Sequence, residues 1–224
     1  MIESMQPFDE ETEKYVADGF LCRERIFSEQ ECFQLLAQMI SEWKSEDRMM
    51  LTSGKPKFRL SCRAEYNKLS SMMIRKALAQ YKSLVKMYFA DEDLILSELT
   101  SLCVFPGAKR QLLHIDFPDP CTNVITFFVN LFDVDEDCGP LAVVPGYHQH
   151  KEIKKIVNCE SIKELLLPAG SCVAMDSRVP HCGMQNRSSS SVKPIIYFSI
   201  GDPGFDGPYG KNPLRINVNH LFRQ

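Results

Sequence analysis

Two stretches in the first half of the chain space their apolar residues as an α-helix does. The first begins at a capping-box pattern, Ser28 followed three positions later by Glu31, and extends to about Ser45. The second runs from about Ser70 to Phe89. Both predict helices that pack one apolar face against a core. The apolar stripes are formed by Cys32, Leu35, Leu36, Met39, Ile40 and Trp43 in the first stretch, and by Ile74, Leu78, Tyr81, Leu84, Val85 and Tyr88 in the second.

From Leu99 onward the pattern changes to short runs rich in β-branched and aromatic residues, bounded by Gly and Pro. These runs cover residues 102–105, 124–132, 141–144, 171–175 and 195–200. Several short strands of this kind predict sheets that close on one another. We therefore predict an α+β, mainly β fold: a double-stranded β-helix core (jelly roll, cupin-like) with flanking N-terminal helices. The charged, amphipathic residues 151–167 are expected to form a short helix or an ordered loop.

The chain of 224 residues is long enough for one well-filled domain, and it contains no internal repeat or long linker. We predict a single domain over residues 1–224. Residues 1–98 are expected to give mainly helical support, residues 99–201 the jelly-roll core, and residues 202–224 a C-terminal tail.

Composition narrows the class of protein. A net charge of −3 gives no reason to expect nucleic-acid binding, and no apolar stretch approaches the roughly 20 residues of a membrane helix. The acidic first eleven residues lack the features of a secretory signal. Nine cysteines, an odd number without a Cys-x-x-Cys pair, predict reduced and mostly buried thiols. We expect a cytoplasmic (or nuclear) protein that is not secreted.

The strongest chemical signal is His114-Ile115-Asp116, with His181 much later in the chain. A His and an Asp two positions apart on an extended segment point to the same face. With a distant second His they form two imidazoles and one carboxylate, the ligand set of non-heme Fe(II) oxygenases. Alone, His-x-Asp is a weak signal, and a hydrogen-bonded pair at a strand end is then the better interpretation.

The motifs that follow this pair come in a specific order. They are Asp137-Cys138-Gly139-Pro140-Leu141, Val143-Val144-Pro145-Gly146-Tyr147-His148, Leu167-Pro168-Ala169-Gly170, and His181-Cys182-Gly183 with Asn186. This order resembles the phytanoyl-CoA dioxygenase family of Fe(II)/2-oxoglutarate oxygenases, most firmly over residues 101–201. The segment Asp18-Gly19-Phe20-Leu21 followed by Ser28-Glu29-Gln30-Glu31 is also similar to the family's entry segment.

The resemblance implies a single oxygenase domain that uses Fe(II), 2-oxoglutarate as cosubstrate, and O2. It implies that His114, Asp116 and His181 are the metal ligands. Related halogenases lack the carboxylate, so the presence of Asp116 favours hydroxylation. By the same resemblance, His148 is structural or supports the site from outside the ligand set.

The cosubstrate site departs from the family pattern. The family usually has an Arg at the start of the strand after the distal His, and this chain has Lys193. A Lys neutralises a carboxylate without the two-point fork of Arg. We therefore expect Lys193 to hold 2-oxoglutarate, with loss or retuning of that site as the alternative. Thr126, which shares a strand face with Phe128 and Asn130, and Gln111, by resemblance alone, are further cosubstrate candidates.

The remaining candidates have weaker support. His150 and His220 are expected at the surface, and Arg178 and Arg187 are expected to face solvent. The basic cluster of residues 55–59 with Arg63 either faces an anionic substrate or is a solvated face. Cys182 is read as a small packing residue, with a redox-sensitive thiol as the alternative.

Three functions remain open from the sequence. A hydroxylase of an unidentified small molecule is the leading prediction. A protein or peptide hydroxylase of the same class, or a non-catalytic jelly-roll binding protein, are the alternatives. The identity of the substrate and the oligomeric state are not encoded in any motif of this chain.

Overall fold

A computed structural model describes residues 9–44, 58–89, 93–117, 123–149, 161–202, 207–208 and 214–222. The helices are α1 (Glu10–Asp18), α2 (Glu29–Trp43), α3 (Lys68–Gln80), α4 (Lys82–Phe89) and α5 (Asn219–Phe222), with a 3-10 turn at Tyr147–Gln149. The strands are β1 (Phe20–Arg23), β2 (Arg59–Arg63), β3 (Ile95–Val104), β4 (Val124–Asn130), β5 (Leu141–Val143), β6 (Lys163–Leu165), β7 (Cys172–Asp176), β8 (His181–Gly183), β9 (Lys193–Gly201) and β10 (Ile216–Asn217).

The strands form two antiparallel sheets, as in the predicted jelly roll. The larger sheet has the order β1-β7-β4-β9-β3-β10, and β2 also pairs with β3. The smaller sheet has the order β6-β5-β8. The fold-class prediction is confirmed.

Side chains alternate between the two faces of the large sheet. Phe127 and Phe198 face the helices and stack with ring centroids 4.8 Å apart in the main apolar core. A smaller apolar cluster, which includes Val173 and Met175, packs towards the small sheet. The space between the two sheets therefore contains both apolar packing and the candidate site.

The predicted start of α2 is confirmed in detail. Ser28 Oγ accepts a hydrogen bond from the Glu31 amide at 3.3 Å, and a Glu31 carboxylate oxygen accepts one from the Ser28 amide at 2.7 Å. This reciprocal pair is the capping box. The last helical residue is Trp43, and Ser45 lies outside the described residues.

The predicted single helix over residues 70–89 is wrong, because the structure has two helices. α3 begins earlier, after the N-cap Asn67, and ends at Gln80. Its C-cap, Tyr81, leaves the helical conformation at φ −107° and ψ 30°. The Tyr81 hydroxyl donates hydrogen bonds to the carbonyl oxygens of Leu21 and Cys172 on β1 and β7. Packing against the sheet therefore interrupts a helical pattern that continues in the sequence.

The sequence also underestimates the β-structure. β1, β2, β6, β8 and β10 were not predicted, and residues 163–165 form β6 instead of a helix or loop. Residues 151–160 of that segment lie outside the described residues. β3 begins at Ile95, so the expected boundary at residue 99 falls inside a strand, and β10 in the expected tail pairs with β3.

In the described part of the chain, no helix combines the length and the apolar composition needed to cross a membrane.

Candidate metal centre

The structure brings His114, Asp116 and His181 together. Nε2 of His114 lies 3.7 Å from Oδ1 of Asp116, and Nε2 of His181 lies 3.6 Å from Oδ2 of the same carboxylate. One ligand atom from each of the three residues lies within 4.8 Å of the other two. Residues up to 67 positions apart (114 to 181) thus present two imidazole nitrogens and a carboxylate to one point.

Backbone pairing sets this arrangement. His114 and His181 exchange two backbone hydrogen bonds, of 3.0 and 2.8 Å, which places the His-x-Asp segment beside β8. Each ring also holds its Nδ1 near a carbonyl oxygen two residues earlier, Leu112 at 2.9 Å and Val179 at 3.0 Å. A proton on Nδ1 leaves Nε2 as the acceptor, which is the tautomer that a metal ligand needs.

His181 is the most buried of the three donors, with 6% of its side chain exposed against 40% for His114. Burial lowers the pKa of His181, and this exceeds the opposing effect of the Asp116 carboxylate. A neutral imidazole is the form that binds a metal.

The turn that leads into β8 is fixed by a buried ion pair. Asp176 accepts hydrogen bonds from the backbone amide and the Nε of Arg178, at 2.9 and 2.8 Å, and from the Tyr88 hydroxyl at 2.9 Å. The expectation that Arg178 faces solvent is therefore wrong, because its guanidinium turns back onto a carboxylate that is 1% exposed. This ion pair stabilises the turn five residues before His181.

The three donors face a cavity of about 210 Å³ between the sheets. Phe128 is part of its wall, with its ring centroid 6.3 Å from that of His181 and 5.5 Å from that of Tyr197. Lys193, Gln111 and Asn130 also line this cavity, and Thr126 does not. Of the predicted cosubstrate residues, Lys193 and Gln111 therefore reach the cavity, whereas Thr126 lies behind its wall.

The predicted cation, Lys193, lies in this cavity with 4% of its surface exposed. Its ammonium group donates a hydrogen bond to the carbonyl oxygen of Gly139. Burial lowers the pKa of Lys193 to about 8, and the nearby Arg59 guanidinium acts in the same direction. A buried cation is costly unless an anion or several acceptors surround it.

Arg59 is a cavity residue that the sequence only hinted at, through the basic cluster of residues 55–59. Its guanidinium donates hydrogen bonds to the carbonyl oxygens of Met184 and Lys109. Its Nε is buried and has no hydrogen-bond partner among the described residues. Residues 55–57 of that cluster lie outside the described residues.

Gln111 stands beside Arg59 at Gly183. Gln111 and Gly183 exchange two hydrogen bonds, from the Gln111 amide to the Gly183 carbonyl at 2.9 Å and from the Gly183 amide to Oε1 at 2.8 Å. A Cβ at position 183 would lie 2.5 Å from Nη1 of Arg59 and 2.7 Å from that Oε1. Gly183 therefore gives both polar side chains room beside the strand that carries His181.

Thr126 lies behind the cavity wall and far from Lys193. Its hydroxyl is 2.9 Å from the Ser199 hydroxyl, which donates to the Glu98 carboxyl at 2.8 Å. On β9, residues 193 and 199 are separated by six positions, roughly 20 Å at ~3.3 Å per residue. Thr126 thus supports Glu98, and the structure does not bring it to Lys193.

The other candidates have structural roles or lie at the surface. His148 packs against Gly19, where a Cβ would lie 2.5 Å from its Nδ1. His220 is exposed, and Arg187 pairs with Asp137 at the surface. Cys182 is fully buried, which agrees with a packing role, and His150 lies outside the described residues.

Two of the sequence motifs fix the loops around Lys193. Gly139 adopts φ +80°, and a Cβ there would lie 2.9 Å from the Met184 carbonyl oxygen. Asn186 is fully buried and donates hydrogen bonds to the carbonyl oxygens of Val104 and Ser191 at 3.0 and 2.8 Å. The glycine and the asparagine thereby hold the Gly139 carbonyl and the start of β9 in place.

Comparison with known families agrees with this geometry. The sequence model for "Phytanoyl-CoA dioxygenase (PhyH)" matches residues 15–193, which include all three donors and Lys193. The chain belongs to the phytanoyl-CoA dioxygenase family. The predicted resemblance is thus confirmed. No curated protein sequence matches the chain at a significant level.

Solved structures with the same fold include two enzymes of nogalamycin biosynthesis. The non-heme α-ketoglutarate-dependent epimerase SnoN is 17% identical, with a TM-score of 0.71 over 92% of this chain and 88% of that one. The carbocyclase SnoK is 19% identical, with a TM-score of 0.70 over 96% and 90%. A complex of SnoN with Fe3+, α-ketoglutarate and nogalamycin RO has a TM-score of 0.70 over 94% of this chain and 94% of that one. At these identities the likeness establishes the fold.

The residues present fit the cofactor set predicted from the family. Two imidazoles and one carboxylate are the donors of a non-heme Fe(II) site with open positions. The unpaired Nε of Arg59 and the buried ammonium of Lys193 provide the positive charge that a dicarboxylate such as 2-oxoglutarate requires. The prediction of Fe(II), 2-oxoglutarate and O2 is confirmed at the level of the family and of the donor set.

Proposed function

We propose that this protein is an Fe(II)- and 2-oxoglutarate-dependent dioxygenase that hydroxylates a small-molecule substrate. One observation carries the proposal: the His114, Asp116 and His181 donors share a cavity with two cationic side chains, the buried Lys193 and the half-buried Arg59. A metal-donor set alone fits many proteins, whereas a donor set combined with an anion site fits a chelating keto acid.

The residues of the chain have distinct tasks in this proposal. His114, Asp116 and His181 hold the ion, and the backbone carbonyls at Leu112 and Val179 fix the orientation of the two rings. Bound iron with 2-oxoglutarate and O2 supplies the oxidising chemistry.

The cavity wall positions the reactants. Lys193 and Arg59 anchor the far carboxylate of 2-oxoglutarate and thereby orient its keto acid end towards the three donors. Phe128 and Tyr197 cover the space between and limit the access of water. Asp116 occupies the third donor position, which supports hydroxylation over halogenation.

The size of the cavity supports a small-molecule substrate. About 210 Å³ accommodates a keto acid and part of a compact substrate, and the site lies between two sheets. Epimerisation and ring closure, the activities named for SnoN and SnoK, are the alternative outcomes of the same site. The mass of the product separates them, since hydroxylation adds one oxygen atom, epimerisation leaves the mass unchanged, and ring closure removes two hydrogens.

The free thiols support the predicted compartment. All seven cysteines in the described part of the chain are free, and five of them are buried. We accordingly propose a reducing compartment, the cytoplasm or the nucleus.

The test is conversion of 2-oxoglutarate to succinate. Protein loaded anaerobically with Fe(II) and 2-oxoglutarate is exposed to air, and succinate is measured. We expect succinate from the wild type and from His220→Ala, whose imidazole is exposed, and none from His114→Ala. A folded wild-type protein that binds neither ion nor 2-oxoglutarate would instead support the non-catalytic alternative.

A further inference from the structure

Glu98 is a buried carboxyl that the proposed chemistry does not use. It lies on β3, is 7% exposed, and lines the same cavity as His114 and Asp116. Carboxylates are seldom buried without a basic partner. In the described part of the chain, the groups that donate to this carboxyl are hydroxyls: Ser199 at 2.8 Å, Thr100 at 3.5 Å, and Tyr197.

A β-bulge turns Glu98 into the cavity. Leu96 pairs with Ile200 and Glu98 pairs with Ser199, so Ser97 is an extra residue on β3. As a result Leu96 and Leu99, three positions apart, both pack in the helix-facing core, and Glu98 points to the opposite side. Bulges of this kind re-aim side chains beside functional sites.

Gly207 packs against the backbone of the bulge at Ser97. Gly207 adopts φ +68°, and a Cβ there would lie 2.3 Å from the Ser97 carbonyl oxygen. The next residue, Pro208, lines the cavity. Glu98 therefore faces a partly open cavity, and its remaining acceptor positions are directed at whatever occupies that cavity.

Charge divides the cavity into two ends. Lys193 and Arg59 both lie opposite Val104 on β3. Val104 is six strand positions from Glu98, which is roughly 20 Å at ~3.3 Å per residue. The cationic end suits the dicarboxylate, whereas the other end presents Glu98 and Asp116. Burial raises the pKa of Glu98 to about 7, and Asp116 acts in the same direction while the Ser199 hydroxyl opposes it.

We propose that Glu98 determines substrate specificity by accepting a hydrogen bond from a hydroxyl or ammonium group of the substrate. This end of the cavity takes a small molecule that carries such a donor, and it rejects carboxylates and phosphates. The inference rests on the proposed function, because it assigns the space beside the metal donors to the substrate. A carboxylate has about four acceptor positions, so the hydroxyl donors leave room for a ligand.

The test uses three probes with the same seven-carbon skeleton: cyclohexylmethanol, cyclohexylmethylamine and cyclohexanecarboxylate. Wild-type protein is loaded with Mn(II) and 2-oxoglutarate, so that no turnover occurs, and the paramagnetic broadening of probe protons reports binding near the metal. We expect the alcohol and the amine to bind at least about tenfold more tightly than the carboxylate, the effect of one hydrogen bond to a charged group.

Glu98→Gln should weaken the binding of the amine by about tenfold, change the binding of the alcohol little and strengthen the binding of the carboxylate. Glu164→Gln, which removes an exposed carboxylate on β6, should behave as the wild type. The absence of any preference among the three probes on wild-type protein refutes the proposal by itself, so the test remains falsifiable even if the variant does not fold.

Two failures are distinguishable. If the wild type binds Mn(II) and 2-oxoglutarate but shows no preference for the donor-bearing probes, or no metal-dependent broadening of any probe, the role of Glu98 is refuted and the proposed function stands. If the wild type binds neither Mn(II) nor 2-oxoglutarate, the proposed function itself fails.

Discussion

Arg59 and Lys193 lie opposite the same residue, Val104, on the two strands that flank β3. Both line the cavity that holds the metal donors, and Arg59 lies close enough to lower the pKa of the Lys193 ammonium. Two neighbouring cations, one buried and one half-buried, repel each other unless an anion lies between or near them. Their proximity supports the assignment of this end of the cavity to a carboxylate.

Removal of the Lys193 charge should weaken cosubstrate binding. We expect Lys193→Met to raise the Kd of Mn(II)-loaded protein for 2-oxoglutarate by about tenfold or more, the effect of losing one charged hydrogen bond. Isothermal titration calorimetry measures this Kd. Lys86→Met, which removes an exposed cation on α4, is the matched control and should leave the Kd unchanged. Equal Kd values for the wild type and Lys193→Met would refute the assignment.

Cosubstrate affinity should depend on pH through Lys193. Its pKa is lowered to about 8, so the ammonium form dominates below that pH and the neutral amine above it. Because the ammonium form binds the carboxylate, the Kd should be constant below about pH 7 and should rise above pH 8 by up to about tenfold per pH unit. Lys193→Arg keeps its charge throughout and should show a flat profile. A wild-type Kd that stays constant up to pH 9.5 would contradict this.

Gly183→Ala tests the space that Arg59 and Gln111 share. The added methyl group would meet Arg59 Nη1 and Gln111 Oε1 within 2.7 Å, so both flexible side chains must shift. We expect 2-oxoglutarate affinity to fall by about tenfold while Mn(II) affinity is kept. Arg59→Met should give a similar loss, and the double variant should add little to either single variant. Fully additive losses would show that the two positions act independently.

The buried Asp176–Arg178 pair should stabilise the fold far more than an exposed one. Asp176→Asn is expected to lower the free energy of unfolding by about 3 kcal/mol, because the guanidinium of Arg178 loses its charged partner. Asp137→Asn, which breaks the exposed pair with Arg187, should cost less than about 1 kcal/mol. Urea denaturation measures the unfolding free energy of both variants. Equal losses of stability would contradict the stronger contribution assigned to the buried pair.

The same pair should make stability depend on pH. Burial alone raises the pKa of Asp176, but the hydrogen bonds from Arg178 outweigh burial and hold the pKa below its usual range. The carboxylate therefore contributes stability that is present above about pH 4, the unfolded pKa, and is lost as the pH falls through the folded pKa. Asp176→Asn should flatten the unfolding free energy across this acid range.

The metal donors were accessible from the sequence because each sits in a local pattern. His114 and Asp116 are two positions apart, and His181 is surrounded by turn residues in a specific order. Arg59 was not singled out because its place depends on the pairing of β2 with β3, across about forty intervening residues. Glu98 could not be found by counting strand positions, because the bulge at Ser97 reverses the alternation.

The fold class followed from the runs of β-forming residues, whereas short elements did not. β8 has three residues, His181–Gly183, and exists because it pairs with β5 on one side and His114 on the other. Tyr81 shows the opposite case, in which a continuous helical pattern is broken by a hydroxyl that reaches the sheet. Both depend on contacts between distant parts of the chain, which override local propensity.

The most direct test of the account is the equilibrium binding of Fe(II) under anaerobic conditions, measured for the wild type and for single variants of the donors. We predict one ion per chain in the wild type and in His220→Ala, and loss of binding in His181→Ala and Asp116→Ala. Stoichiometric binding of undiminished affinity in folded His181→Ala would contradict the central claim that these side chains hold the metal.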